Sequence, residues 1–403
     1  MTPSARAYAA IEIIQKVLDG SSVTRVLLNW GRTNRYAGAK DRSAIRDMVF
    51  NAIRYKRSSL WPFINSGFEA SGRYLIMGSL YKKFSEFDAF FDDSKYSAPR
   101  ISAKEWVVLE SFSCVLDQAP LPVRLDFPDF LLPELKRSLG GKLEETILAL
   151  NRRASVFLRV NFLRCDVDEA ISSLGKDGIV TKKCNDIAGC LVVERGEKNL
   201  QGSRAYQLGF IEIQDLSSQS VIKFIKLSKP KMILDFCAGG GGKVLAVASE
   251  VQGAGKFYVH DKKWQRMKNI DDRTKRAGVK INRFYPHNTL KNFTKFDLVL
   301  VDVPCSGTGS WRRDPGNKWW LTKDKLNQLI AEQKEIIGSA SKYVAEGGIY
   351  VYITCSILQR ENEDQVDEFL ACDHNFNLLR SKLFSPVNGG DGFYVAVMKK
   401  QKK

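Results

Sequence analysis

The stretch DFCAGGGGKVLAVA, residues 235–248, runs from an apolar strand-like segment into four consecutive glycines and then into a helical pattern. Glycines after a buried strand let the backbone approach a ligand at the edge of a parallel sheet. The spacing is not GxGxxG, and Val244 after Lys243 rules out the GK[ST] ending of a phosphate loop. A dinucleotide and another nucleoside-bearing cofactor both remain open. The following strand pattern ends at Asp261, at the distance where an acid accepts the two hydroxyls of a ribose, or simply caps the next helix. A third ends at Pro286-His287-Asn288, where Asn288 is a turn residue or a partner for an adenine edge.

Outward from this stretch the pattern repeats. KMILDFCA, KFYVHD, INRFYP, FDLVLVDVP and GGIYVYITCS are apolar, β-branched or aromatic runs separated by helical segments, with GFYVAVMKK as a last strand. Strand and helix in alternation predict an α/β, doubly wound, mostly parallel sheet. Asp302 and Cys305 follow one strand and Cys355 another, so a parallel sheet brings two thiols and a carboxylate to one edge. A single cysteine reads as a small buried hydrophobe; two at strand ends point to chemistry. Glu361, Asn362, Glu363 and Asp364 read as the acidic first turn of a helix whose dipole favours a thiolate at Cys355.

The remaining chain divides in two. Ile11, Ile14 and Leu18, then Ile45, Met48, Val49 and Ala52, recur at the helical period, predicting an all-helical domain over 1–150. Arg42, Arg46, Arg54, Lys56 and Arg57 along it read as a solvated face or an RNA contact. SVFLRVNFL, the helical DVDEAISSLGKDG and GCLVVER predict a small α+β subdomain over 151–203, leaving 204–403 for the glycine turn and the thiols. With 62 basic against 45 acidic residues the net charge is +17, which favours a polyanionic partner, nucleic acid before an anionic membrane. No apolar run reaches the length of a membrane span, and MTPSARAYAAIEIIQ lacks a secretory pattern, so the expected location is cytoplasmic with no membrane partner. Eight cysteines without paired CxxC or His spacing predict no metal and no disulfide framework.

Two further segments favour nucleic acid. Lys262, Lys263, Arg266, Lys268, Arg273, Lys275, Arg276, Lys280 and Arg283 stand against only Asp271 and Asp272. Trp311, Arg312, Arg313, Lys318, Trp319 and Trp320 follow the Cys305 turn, and alternating aromatics and cations suit a single strand or a flipped base. Trp320, followed by Leu321, reads as core.

Taken together, DFCAGGGGK, DVPCSGTG, YITCSILQRENED and DGFYVA, in this order, resemble the RsmB/Sun family of RNA cytosine-5 methyltransferases, whose stretches usually read DxCAAPGGK, DAPCSGTG, YSTCSxxxxENE and DGFF. EIQDLSSQ (212–219) and LRVN (158–161) extend the likeness, which covers 155–403. The helical part is similar, more loosely, to a NusB-like RNA-binding domain. The resemblance implies a Rossmann-like S-adenosylmethionine-dependent methyltransferase domain, preceded by a small α+β RNA-binding subdomain and that helical domain, acting as a monomer on RNA, in particular 16S ribosomal RNA. It assigns Cys355 as the nucleophile on the base and Cys305 as the residue assisting product release. Cys237, Ala238, Gly239, Gly240, Gly241, Gly242, Lys243, Asp261, Asn288 and Asp302 fall on the cofactor site, with binding largely through backbone amides. Gly240 stands where the family has proline, and Asn288 where it usually has an acid. The alternatives are an inactive RNA-binding ribosome assembly factor of the same fold, a NAD-dependent oxidoreductase, and a DNA-type cytosine methyltransferase with Cys305 as nucleophile.

Overall fold

The computed structural model describes residues 1–228, 230–286 and 295–402. Asn288 lies outside the described residues. The chain separates into two units, Met1–Leu132 with Trp311–Trp320, and Pro133–Ser310 with Leu321–Lys403.

The first unit is helical. Its first helix, Pro3–Leu18, opens with proline at a first-turn position and a Thr2 hydroxyl that accepts from the Ala5 amide. Ala7, Ala10, Ile13 and Ile14 face inward, and Ile45, Val49, Ala52 and Ile53 of helix Ala39–Arg54 join them in one core. The next helix, Lys56–Asn65, is capped from a distance. The Asp126 carboxylate accepts from the amides of Arg57 (2.8 Å) and Ser58 (3.0 Å) and from the Ser58 hydroxyl (2.6 Å).

Residues 311–320 are part of this unit. The fully buried Lys318 ammonium donates to the carbonyls of Arg54, the last residue of its helix (3.0 Å), and of Asp126 (2.8 Å). The Trp319 indole donates to the Ile53 carbonyl at 2.8 Å, and Trp311 is wholly buried. Burial pushes the Asp126 carboxyl up and the Lys318 ammonium down from their ordinary values, each opposed by the other's charge. This corrects the nucleic-acid reading of the segment: Trp311, Arg312 and Lys318 are buried, whereas Trp320, expected in the core, is 56% exposed.

The basic row on the helices is likewise largely structural. Arg54 is buried and donates to the Arg312 carbonyl, Lys56 lies over the Trp319 ring, and Arg57 holds Asp129 and the Phe127 carbonyl. Arg42 donates to the Ala37 carbonyl, leaving Arg46 with a loose exposed pairing to Asp47 at 3.9 Å.

The second unit holds two sheets. Strands β1 (Phe157–Val160), β2 (Val180–Lys183), β3 (Cys190–Arg195) and β4 (Ile211–Ile213) form an antiparallel sheet in the order β2-β3-β1-β4. Helix Val167–Lys176 packs on it, with Asp166 accepting from the Glu169 amide as its cap. Strands β5 (Met232–Asp235), β6 (Lys256–Val259), β7 (Ile281–Arg283), β8 (Phe296–Asp302), β9 (Val344–Thr354), β10 (Phe376–Phe384) and β11 (Phe393–Lys400) form a seven-stranded sheet in the order β10-β11-β9-β8-β5-β6-β7. β5 to β9 are parallel; β11 runs antiparallel to both β9 and β10.

The large sheet is buried on both faces, as parallel strands require. Helices Leu216–Ile225, Gly242–Glu250 and Ile270–Ala277 contribute apolar side chains to one face, and Lys323–Ser341 and Glu363–Cys372 to the other. The order reverses at β5, which places a crevice beyond the carboxyl ends of β5 and β8.

The boundaries differ from those expected at 150 and 203. Helices Leu132–Leu139 and Leu143–Leu150 fall almost wholly in the second unit, where Glu134 pairs with Arg360 at 2.9 Å and the Ser138 hydroxyl accepts from the Gln359 amide at 2.8 Å. β4 completes the small sheet ten residues beyond 203. Among the described residues no helix is long and apolar enough to cross a membrane.

Removing the remote cap should be costly, because Asp126→Ala leaves two helix amides and a hydroxyl without their acceptor and takes away the charge that opposes the buried Lys318 ammonium. Chemical denaturation should show a loss of about 2–4 kcal/mol, against less than about 1 kcal/mol for the exposed Asp47→Ala.

Candidate active site

The glycine turn leaves β5 at Asp235, whose carboxylate is wholly buried. Its Oδ2 accepts from the Val244 amide at 3.2 Å, while its Oδ1 has no donor in hydrogen-bonding geometry among the described residues. Burial first, and then the charge of Asp302, raise this carboxyl to about 7. Gly241 sits at φ +83°, and a Cβ there would come 2.9 Å from the Ile270 side chain. The turn is internally braced: the Ala238 amide donates to the His260 carbonyl, Gly239 to Asp261 Oδ2 (3.0 Å) and Gly241 to the Ala238 carbonyl. Those three amides are therefore already engaged, contrary to the expectation that the loop offers its amides to a ligand.

Asp261, just beyond β6, also accepts from the Lys263 amide at 2.9 Å and pairs with Arg266 at 3.3 Å. It both shapes the turn and stands beside it. Cys237 packs partly into the sheet core, and burial raises its thiol well above the ordinary value.

Lys243 enters the crevice from the first turn of helix Gly242–Glu250. Its ammonium donates to Asp302 Oδ2 at 2.9 Å and lies 4.8 Å from the centre of the Phe393 ring. Burial alone would lower it, but the charge and hydrogen bond of Asp302, with further charge at Cys355, raise it above its usual value. Asp302 is less buried, its side chain 30% exposed.

Cys305 and Cys355 meet. Their sulfurs are 3.3 Å apart, within hydrogen-bonding distance. The contact with Cys355, then burial, then the charges of Cys355 and Glu361 push the Cys305 thiol well above the ordinary range. The two loops that carry them share backbone bonds: the Gly309 amide donates to the Cys355 carbonyl at 3.0 Å, and the Gly392 amide to the Gly309 carbonyl at 2.8 Å. A Cβ on Gly309 would stand 2.1 Å from the Gly392 carbonyl oxygen, so the DGFYVA turn backs directly on the Cys305 loop.

Glu361 corrects the sequence reading most. The helix after Cys355 begins only at Glu363, so Cys355 is not at its entrance, and Glu361 is fully buried. Its carboxylate accepts from the Ser306 amide (2.8 Å), the Ser306 hydroxyl (2.5 Å), the Ser356 hydroxyl (2.5 Å) and Gln333 Nε2 (2.9 Å). Gln333 also donates to the Pro304 carbonyl at 2.9 Å. Asn362 accepts from the Thr354 hydroxyl and donates to the Ser356 carbonyl. The residue that follows each thiol, Ser306 or Ser356, is thus fixed to one buried acid.

Arg273 and Arg276 of the basic run converge on the buried Glu212, Arg283 pairs with Asp271, and Lys262 makes a long exposed contact with Glu335. Lys263, Lys268, Lys275 and Lys280 are exposed. Five of the nine cations in the expected phosphate-facing run, counting Arg266, are therefore paired with acids of the protein itself.

A largely parallel sheet of this order, with a glycine turn and acids at its switch point, defines the doubly wound class of nucleoside-cofactor-binding proteins. Comparison with known proteins narrows it. The family described as "16S rRNA methyltransferase RsmB/F" matches residues 222–399, and the RsmF/B-like ferredoxin-like domain matches 127–198. The ribosomal RNA small subunit methyltransferase B of Photorhabdus laumondii is 32% identical over 297 residues, 68% of this chain and 66% of that protein. The Klebsiella pneumoniae protein of the same name is 28% identical over 98% of both chains. The crystal structure of PH0851 covers 99% of both chains with a TM-score of 0.75 at 22% identity, and that of NSun6 from Pyrococcus horikoshii with SFG covers 69% of this chain and 99% of that one, at 0.60 and 19%. The chain belongs to the RsmB/F family of ribosomal RNA methyltransferases.

Glu361→Ala strands four donors at once, and unfolding should register a loss of about 2–4 kcal/mol. Glu361→Gln keeps the shape but opposes a donor to donors, and should lie between Glu361→Ala and the parent.

Proposed function

We propose that this chain forms 5-methylcytosine in RNA of the small ribosomal subunit, using S-adenosylmethionine and a transient cysteine–cytosine bond. The observation that carries this reading is the contact of Cys305 with Cys355 at 3.3 Å, at the same sheet edge as the Lys243–Asp302 pair. Bound S-adenosylmethionine supplies an electrophilic methyl group on its sulfonium. The glycine turn, Asp261 and Asp302 fit such a molecule: acids lie at two strand ends, and the buried Asp235 Oδ1 lacks a donor among the described residues.

Carbon 5 of cytosine is a poor nucleophile. In the proposed sequence the Cys355 sulfur adds to carbon 6, which moves electron density to carbon 5 for methyl transfer. Afterwards water takes the carbon 5 proton, the electron pair re-forms the carbon 5–carbon 6 double bond, and the carbon–sulfur bond breaks to release Cys355 as a thiolate. The surroundings favour this division of labour. The Lys243 ammonium lies near enough to feel charge at Cys355, while the contact with Cys355, then burial, then the charge of Glu361 hold the Cys305 thiol well above its ordinary range, a donor beside the attacking sulfur. Asp302, held by Lys243, is positioned to accept from the cytosine amino group. The exposed Lys263, Lys268, Lys275 and Lys280 supply cations for an RNA backbone.

Cys305→Ala should accumulate an RNA adduct that survives denaturing electrophoresis, and Cys355→Ala should give none and abolish methylation. The opposite pattern would make Cys305 the nucleophile, as in the DNA-type reading. RNA binding without methyl incorporation by the parent chain would favour the inactive assembly factor.

A further inference from the structure

We infer that Arg273, held by the buried Glu212, positions the cofactor-side glycine turn by gripping the carbonyl of Gly240. The inference rests on the cofactor reading above and extends it to a residue outside the pocket's motifs. Arg273 Nη1 donates to the Gly240 carbonyl at 2.6 Å, and its Nη2 donates to Glu212 Oε2 at 2.8 Å. Glu212 lies on β4 of the small sheet, 2% exposed, and its other oxygen accepts from Arg276 at 2.6 Å. The guanidinium is thus a rigid two-pronged bridge from the small sheet to the turn.

The glycine at 240 is explained by this bridge. Gly239 and Gly241 have φ of +48° and +83°, which call for glycine, whereas Gly240 is outside the left-handed region. What a side chain at 240 would meet is Arg273: a Cβ there would stand 2.9 Å from Nη1. The space above residue 240 is occupied by the guanidinium, and the hydrogen bond restrains a run of glycines that would otherwise be loose.

A second brace comes from the same side. Gln214, just beyond β4, donates from Nε2 to the Gly242 carbonyl at 3.1 Å, and its own carbonyl accepts from Arg159 Nε at 2.7 Å. The carbonyls of alternate loop residues, 240 and 242, are therefore both held from the small sheet. Arg276 shares Glu212 and lies 4.0 Å from the Tyr206 ring, and among the described residues its guanidinium donates to Glu212 rather than to the turn, which makes it a matched control.

The test is calorimetric titration of the full chain with S-adenosylhomocysteine, beside thermal unfolding and hydrogen exchange of the 239–242 amides. Arg273→Ala is expected to bind about tenfold more weakly, the effect of losing one charge-assisted hydrogen bond, with faster exchange in the turn. Arg276→Ala is expected to lower the unfolding temperature yet bind within about twofold of the parent. Gly240→Ala keeps the arginine but crowds it, and is expected to weaken binding severalfold, which retains a readout if Arg273→Ala folds poorly. In steady state the Arg273 effect should fall on KM for S-adenosylmethionine rather than on kcat. Equal binding by Arg273→Ala and parent, or equal weakening by Arg276→Ala, overturns the inference alone. A parent chain that does not bind S-adenosylhomocysteine overturns the cofactor reading, and this inference with it.

Discussion

Between the carboxyl ends of β8 and β9, the Glu361 carboxylate accepts four hydrogen bonds from two loops and one helix. A buried acid is expensive unless every lone pair is used, and here the partners are the residues that immediately follow each thiol, Ser306 and Ser356. Cys305 and Cys355 are fifty residues apart in sequence, and their 3.3 Å contact depends on this shared anchor. The close approach of Gly309 and Gly392 closes the arrangement from behind. The proposed chemistry, with two sulfurs at one carbon–sulfur bond, requires this kind of fixed geometry, since small displacements of reacting groups are costly in rate.

The large sheet was legible because its strands are buried on both faces and so read as continuous apolar runs. KMILD, FDLVLVD and GGIYVYIT could hardly be anything else. The strands that escaped are those at edges or those made of few residues. VTKK at β2 is mostly exposed, β4 is three residues inside a motif, and NLLRSKL in β10 is an exposed edge whose alternation is weak. The helical boundary at 150 failed for a different reason. Periodicity identifies the Leu132–Leu150 helices but not what they pack against, and their partners, Gln359 and Arg360, are more than two hundred residues away.

The site was legible where motifs carry chemistry and opaque where side chains serve one another. Cys305, Cys355, Lys243 and Asp302 follow from strand ends and the glycine turn. Glu361 looked like an ordinary acid in a helical first turn, and only its complete burial marks it as an anchor. WRRDPGNKWW shows the converse error: aromatics interleaved with cations suggested nucleic acid, but Lys318 finds two carbonyls and Trp319 a third, so the segment is absorbed into the helical core. A cation near an aromatic in sequence does not say whether water or a helix end will receive it. Arg273 and Glu212 were also invisible, one hidden in a run of lysines and arginines and the other in a three-residue strand.

In the proposed reaction the two thiols have separate tasks, Cys355 forming the bond to the base and Cys305 serving its release. The direct measurement uses ribosomal RNA carrying 5-fluorocytosine, in which fluorine at carbon 5 blocks the final elimination and leaves the enzyme joined to the base. Tandem mass spectrometry of the digested complex should find the modified nucleotide on the peptide containing Cys355, with Cys305 unmodified. A nucleotide on Cys305 would contradict the account.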